Sequence, residues 1–218
     1  MQNCIEEFRD RFTELGIEID LPPVVQALSE EELSAMIDGY DGIIAGDDPL
    51  TAKVLDKARR LRIISKWGVG TDGIDLDAAQ TRRIVVTNTP GVFGDAVADV
   101  AAAYMVMLAR QLHRIDASVR AGGWWKHEGT ELRGKTLGVV GFGTIGRAVA
   151  QRGHGFGMSV IAHDSADVSM AAADADVELV DRDAVFRRAD FLVLCCPLTT
   201  ATRHLVNAET LAQMKLGS

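Results

Sequence analysis

An α/β protein built on parallel sheets is what this sequence predicts, and three observations predict it. Short apolar runs alternate with stretches of helical periodicity, helix caps and glycines mark the changeovers, and one apolar run passes through Gly141, Gly143 and Gly146 straight into a helical pattern. The expected architecture is a Rossmann-type doubly wound parallel sheet over 91–218 and a smaller, flavodoxin-like α/β unit over 1–90, both incomplete.

Each element has its own signal. Ile5, Phe8, Phe12 and Leu15 recur at helical spacing and Gly16 follows as a stop, so the chain opens on an amphipathic helix. A strand is expected over 17–21. A helix from Glu30 carries the Ser29/Glu32 capping box and ends at Gly39. Then come a buried strand over 42–45, a helix over 51–60, a strand over 61–66, a helix over 76–81 and a strand over 84–87, with helices on both faces of the sheet. A first helix with no strand before it departs from the βαβ rhythm, so the start of the chain is expected to be missing.

Thr89-Pro90-Gly91 breaks the pattern, and 95–120 reads as one long helix ended by Gly122-Gly123. Its apolar positions Val97, Val100, Ala101, Tyr104, Met105 and Leu108 cover more than one stripe, which predicts burial on two sides, as between domains or subunits. Trp124-Trp125 reads equally as a dimer contact or as core. From Lys135 the order is a strand through Leu137, Val139 and Val140, a helix from Ile145, and a strand over 159–163. A short strand near Val177, a helix over 182–188 and a fully buried strand over 191–196 follow; 171–175 reads as helix or surface loop.

Composition excludes several partners. The net charge is −8 and the 23 Lys and Arg are scattered, which argues against nucleic acid or an anionic membrane surface. The apolar stretch 100–109 is too short to cross a bilayer, and the acidic first residues are unlike a secretory signal, so a cytoplasmic location is expected. Three cysteines, with Cys195 and Cys196 adjacent, make neither a disulfide framework nor a metal knuckle, and read as small buried residues. No metal is expected.

The glycine turn is the most specific chemical signal. Gly141 allows a tight turn, Gly143 lets backbone approach a pyrophosphate, and Gly146 lets helix and strand pack closely, while free amides at the helix start meet the phosphates. Asp164 ends the next strand, where a carboxylate accepts both hydrogen bonds of a ribose diol. NAD is therefore expected over NADP, since a 2′-phosphate beside that carboxylate meets a like charge costing about 4 kcal/mol at a surface-like dielectric, before screening.

Four stretches together resemble the D-isomer-specific 2-hydroxyacid dehydrogenase family, particularly its phosphoglycerate-dehydrogenase-like members. They run from Lys66 to Asp75 (KWGVGTDGID), from Thr87 to Gly91 (TNTPG), from Gly141 to Gly146 (GFGTIG), and from Cys195 to Thr199 (CCPLT) with Thr202. The resemblance implies that the amides of Val69 and Gly70 hold a substrate carboxylate, with Lys66 raising the local potential. It implies that Thr144 and Ile145 lie at the pyrophosphate, and that Cys196, Pro197 and Thr202 line the cofactor's other side. Its catalytic arginine, glutamate and histidine would lie beyond Ser218, so no catalytic residue is assigned, and none of the five histidines replaces them.

The implied activity is NAD-dependent hydride transfer between nicotinamide and a small 2-hydroxy or 2-keto acid, with this chain an inactive or partial form. A non-catalytic NAD-sensing module and a formate- or phosphite-type dehydrogenase are the alternatives. A homodimer through helix 95–120 is the expected assembly, and the strand over 191–196 is expected to leave an apolar edge open to self-association.

Overall fold

Two parallel sheets organise the computed structural model, which describes residues 2–217, and the chain divides into two compact units after Pro90.

The first unit opens on α1 (Gln2–Ile5) and α2 (Arg9–Glu14), joined by a single tight turn and stopped at Gly16, whose φ is +68°. The expected strand over 17–21 does not form. A strand exists by its ladder, and among the described residues this stretch pairs with none; Ile17 stays half exposed, and Pro22-Pro23 remove two backbone donors. The capping box holds as read: α3 (Glu30–Met36) starts with Glu32 N–H on Ser29 Oγ at 3.2 Å and Ser29 N–H on Glu32 Oε2 at 2.8 Å.

Next come β1 (Gly42–Ala45), α4 (Ala52–Leu55), β2 (Ile63–Lys66), α5 (Leu76–Thr81) and β3 (Val85–Thr87), the strands lying parallel in the order β1-β2-β3. The helix expected over 51–60 closes at Leu55. Lys57 and Ala58 N–H reach back only three residues, to Val54 and Leu55, so the chain tightens to bury Ala58 and Leu61 beside them.

One sheet face, carrying Ile43, Ala45, Ile64 and Val86, packs in a single core with Leu33, Ile37, Val54, Leu55 and Ala79. On the other face Ile44, Ile63 and Val85 are 40%, 42% and 56% exposed, so helices cover one side of this sheet and not the expected two among the described residues.

The second unit begins with α6 (Gly94–Arg110) and α7 (Leu112–Arg120), which correct the single helix expected over 95–120. Gln111 between them is left-handed, with φ +50°. The cause is not local: Thr130 N–H takes the carbonyl of Ala109 at 2.8 Å, the acceptor a continuing helix would offer to its next turn. Trp124 and Trp125 follow in an irregular segment, both exposed, which removes the reading of the pair as core.

The remaining elements are β4 (Thr136–Val140), α8 (Thr144–Gly155), β5 (Ser159–His163), α9 (Ser169–Asp174), β6 (Glu178–Leu179), α10 (Arg182–Arg188), β7 (Phe191–Leu194) and α11 (Ala208–Gln213). The parallel order is β6-β5-β4-β7. Helices lie on both faces. A methyl on Gly153 of α8 would meet Leu137, while one on Gly138 would meet Val185 of α10 and Ala189 after it.

Strand β7 is shorter than expected and half-buried, because it is the sheet edge and so lacks a strand on its outer side. A groove of about 940 Å³ runs beside it, lined by Leu192 and Leu194, by Tyr104 and Leu108 of α6, and by Leu211 and Met214. No helix among the described residues is long and apolar enough to cross a membrane.

Candidate functional site

The strand order turns back beside β4, with β5 on one side and β7 on the other, and ligands of open α/β sheets bind at such switch points. Gly141–Gly146 occupies that point. Its three glycines are required for three different reasons. Gly141 has φ +93°, and a Cβ there would lie 2.5 Å from Cys196 N and 2.7 Å from Cys195 C, so the turn lies against the end of β7. A Cβ on Gly146 would lie 2.1 Å from Gly141 O, which makes it the point of close helix–strand approach. A Cβ on Gly143 would meet nothing within 4 Å: the space in front of it is open.

The N–H groups of Gly143, Thr144 and Ile145 donate to no acceptor among the described residues, and they stand at the start of a 12-residue helix. Free donors and open space at one helix N-terminus suit an anion such as a diphosphate. Asp164, one residue beyond β5, accepts Phe142 N–H on Oδ2 at 2.6 Å and Ala166 N–H on Oδ1 at 2.9 Å. The carboxylate thus ties the end of β5 to the glycine turn itself, a role the sequence reading missed because nothing in the spacing reveals a backbone partner. Each oxygen keeps a further lone pair for a diol.

Cys196 stands against Gly141, as the contact above places it. Cys195 is packed into the core, and burial, with a smaller contribution from Cys196, pushes its thiol up to about 11. Of the cysteines, expected as small buried residues at a strand end, Cys195 and Cys196 are partly buried just beyond β7, while Cys4, on α1, is exposed. The Thr202 hydroxyl donates to Pro197 O at 2.6 Å and accepts Thr199 N–H at 2.8 Å, so it closes the loop after β7 on itself. His154 and His163 make backbone contacts, to Ala175 O at 3.0 Å and Val180 O at 3.2 Å, in keeping with histidines that serve the fold.

In the first unit, the loop after β2 presents Val69 and Gly70 N–H with no acceptor among the described residues. A second loop braces it. Thr89 N–H donates to Gly68 O at 2.9 Å, Gly68 N–H to Thr89 Oγ1 at 3.2 Å, and Asn88 Nδ2 to Val69 O at 2.8 Å. Asn88 and Thr89 belong to a motif noted in the sequence without a role, and only the fold shows what they hold. Lys66, the one buried charged side chain among the described residues, lies under this loop: a Cβ on Gly68 would be 4.0 Å from its ammonium nitrogen. That ammonium donates to Gly46 O and pairs with Asp47 Oδ1 at 3.1 Å.

The sequence profile described as "D-isomer specific 2-hydroxyacid dehydrogenase, NAD binding domain" matches residues 102–218, more than half of the chain. A hydroxypyruvate reductase of Thermotoga maritima is 39% identical over 201 residues, 91% of this chain and 65% of that protein. A D-3-phosphoglycerate dehydrogenase of Methanocaldococcus jannaschii is 38% identical over 88% of this chain and 37% of its own length. The crystal structure of D-lactate dehydrogenase from Aquifex aeolicus, complexed with NAD and lactic acid, superposes with a TM-score of 0.81 at 29% identity, over 98% of this chain and 64% of that one. The chain therefore spans less than two thirds of the length of each of these three relatives. With a glycine turn of this geometry, a doubly wound sheet and a profile match across most of the second unit, the chain belongs to the D-isomer specific 2-hydroxyacid dehydrogenase family.

Proposed function

We propose that the protein is an NAD-dependent oxidoreductase that moves hydride between nicotinamide and a small 2-hydroxy or 2-keto acid, with 91–218 holding the cofactor and 1–90 the acid. The observation that carries this reading is the set of free amides at Gly143, Thr144 and Ile145 beside an Asp164 carboxylate. In it, Gly141, Gly143, Thr144, Ile145 and Gly146 hold the diphosphate, Asp164 takes the adenosine ribose, and Cys196, Pro197 and Thr202 flank the cofactor. The bound nicotinamide supplies the hydride acceptor or donor. Val69 and Gly70 N–H bind the acid's carboxylate, helped by the Lys66 charge.

The reading includes a cytoplasmic location and a homodimer through α6. The support for the dimer is a second apolar stripe on that helix, Val97, Val100, Tyr104 and Leu108, left exposed while Ala98, Ala102 and Met105 are buried. His154 and His163 are engaged by the backbone carbonyls of Ala175 and Val180, as histidines that serve the fold are, and in this reading the chain alone binds NAD without turnover.

Calorimetric titration with NAD and NADP tests the core of it. NAD should bind, NADP should bind at least tenfold more weakly, on the order of one like-charge contact, and Asp164→Ala should abolish the preference. Absence of binding by either at millimolar concentration, in a folded sample, refutes the reading.

A further inference from the structure

The carboxyl end of the first sheet carries one cation and several acids. Its loops, 46–50, 67–75 and 88–90, contain Asp47, Asp48, Asp72 and Asp75, and the only Lys or Arg at these strand ends is Lys66. Two of the acids are occupied locally. Asp48 accepts Leu28 N–H at 3.0 Å and Gly46 N–H at 2.9 Å, and Asp75 caps α5 through Ala78 N–H at 2.8 Å. The other two lie at Lys66 and at Gly70. Asp47, with a side chain 78% exposed, pairs with the Lys66 ammonium, and a Cβ on Gly70 would lie 2.9 Å from Asp72 Oδ1.

One incoming carboxylate can use two N–H donors and share the Lys66 charge with Asp47. A second anionic group on the same ligand finds no further cation in these loops and is repelled by the Asp72 and Asp47 carboxylates they carry. Beside these acids the loops expose apolar surface at Trp67 and Val69, which are 45% and 41% exposed.

We propose that this site selects a short 2-hydroxy or 2-oxo acid with an uncharged tail and rejects acids whose tail carries phosphate or a second carboxylate. This rests on the reading that Val69 and Gly70 bind the substrate carboxylate, and it separates the chain from a relative such as the phosphoglycerate dehydrogenase, whose ligand carries both charges.

The test compares D-glycerate with 3-phospho-D-glycerate, which differ by the phosphate alone. Each is titrated into the ¹⁵N-labelled chain at saturating NAD, with the Val69 and Gly70 amide resonances as the readout. Glycerate should shift both amides, and phosphoglycerate should bind about tenfold more weakly or worse, from repulsion by two nearby carboxylates after screening. In the Asp47→Asn/Asp72→Asn variant, both substitutions being at exposed positions, the gap should narrow at least threefold.

Equal or tighter binding of phosphoglycerate overturns the proposal, as does a gap that the double variant leaves unchanged. If NAD binds but neither acid shifts Val69 and Gly70, the carboxylate site itself is refuted and the selectivity falls with it.

Discussion

Gly143 and Gly146 sit three residues apart in one turn, yet they answer to different constraints. A methyl at Gly146 runs into the carbonyl of Gly141, so Gly146→Ala should destabilise the second unit by about 1–3 kcal/mol, as overpacking does. A methyl at Gly143 meets nothing, so Gly143→Ala should melt within about 0.5 kcal/mol of the parent while losing NAD affinity. Thermal melts and calorimetry on the pair separate a folding glycine from a binding one. Asp164 belongs to both classes, since its carboxylate holds Phe142 N–H before any ligand arrives. At Cys195, whose thiol is pushed up to about 11, the thiolate is scarce at pH 8. Iodoacetamide at that pH should label exposed Cys4 and leave Cys195 largely unmodified until the chain is unfolded.

Among the elements, the α6–α7 break is the clearest case of a non-local cause. Periodicity alone continues through Gln111, and no glycine or proline interrupts it. The left-handed turn appears because Thr130, from a distant segment, claims the Ala109 carbonyl. Gln111→Gly should therefore raise stability by up to about 1 kcal/mol in denaturant titration, since glycine adopts that conformation without a Cβ clash. Strand β7 offers the opposite lesson. Its apolar run predicts full burial, whereas its outer edge lies open along the groove shared with α6. Two modes of association can be told apart by sedimentation: Val100→Glu on the exposed stripe should weaken the proposed dimer, and Leu194→Lys on β7 should suppress open-ended association through the edge.

For the molecule as a whole, acid sensitivity has an identifiable source in the second unit. Burial raises the pKa of Asp190, but Thr136 N–H at 2.7 Å and the Lys215 ammonium at 3.0 Å outweigh it and hold the carboxyl below its usual 3.8. A depressed carboxyl stabilises the fold above its unfolded value and loses that contribution as pH falls through the folded one, so the loss begins below about pH 4. Asp190→Asn should lower stability at pH 7 by about 1–2 kcal/mol and flatten the acid limb of the melting curve.

Much of this protein was legible in its order of residues. The strand–turn–helix at Gly141, the Ser29 capping box and the alternation of strands and helices each depend on neighbours close in the chain, where local sterics and periodicity decide. What only the folded chain decided depends on partners brought from afar. Thr130 ends a helix it does not belong to, Asn88 and Thr89 brace the Val69–Gly70 loop, and Asp164 grips the turn it faces. The unpaired stretch 17–21 makes the same point from the other side: β propensity proposes a strand, but a ladder needs a neighbour, and only tertiary structure supplies one.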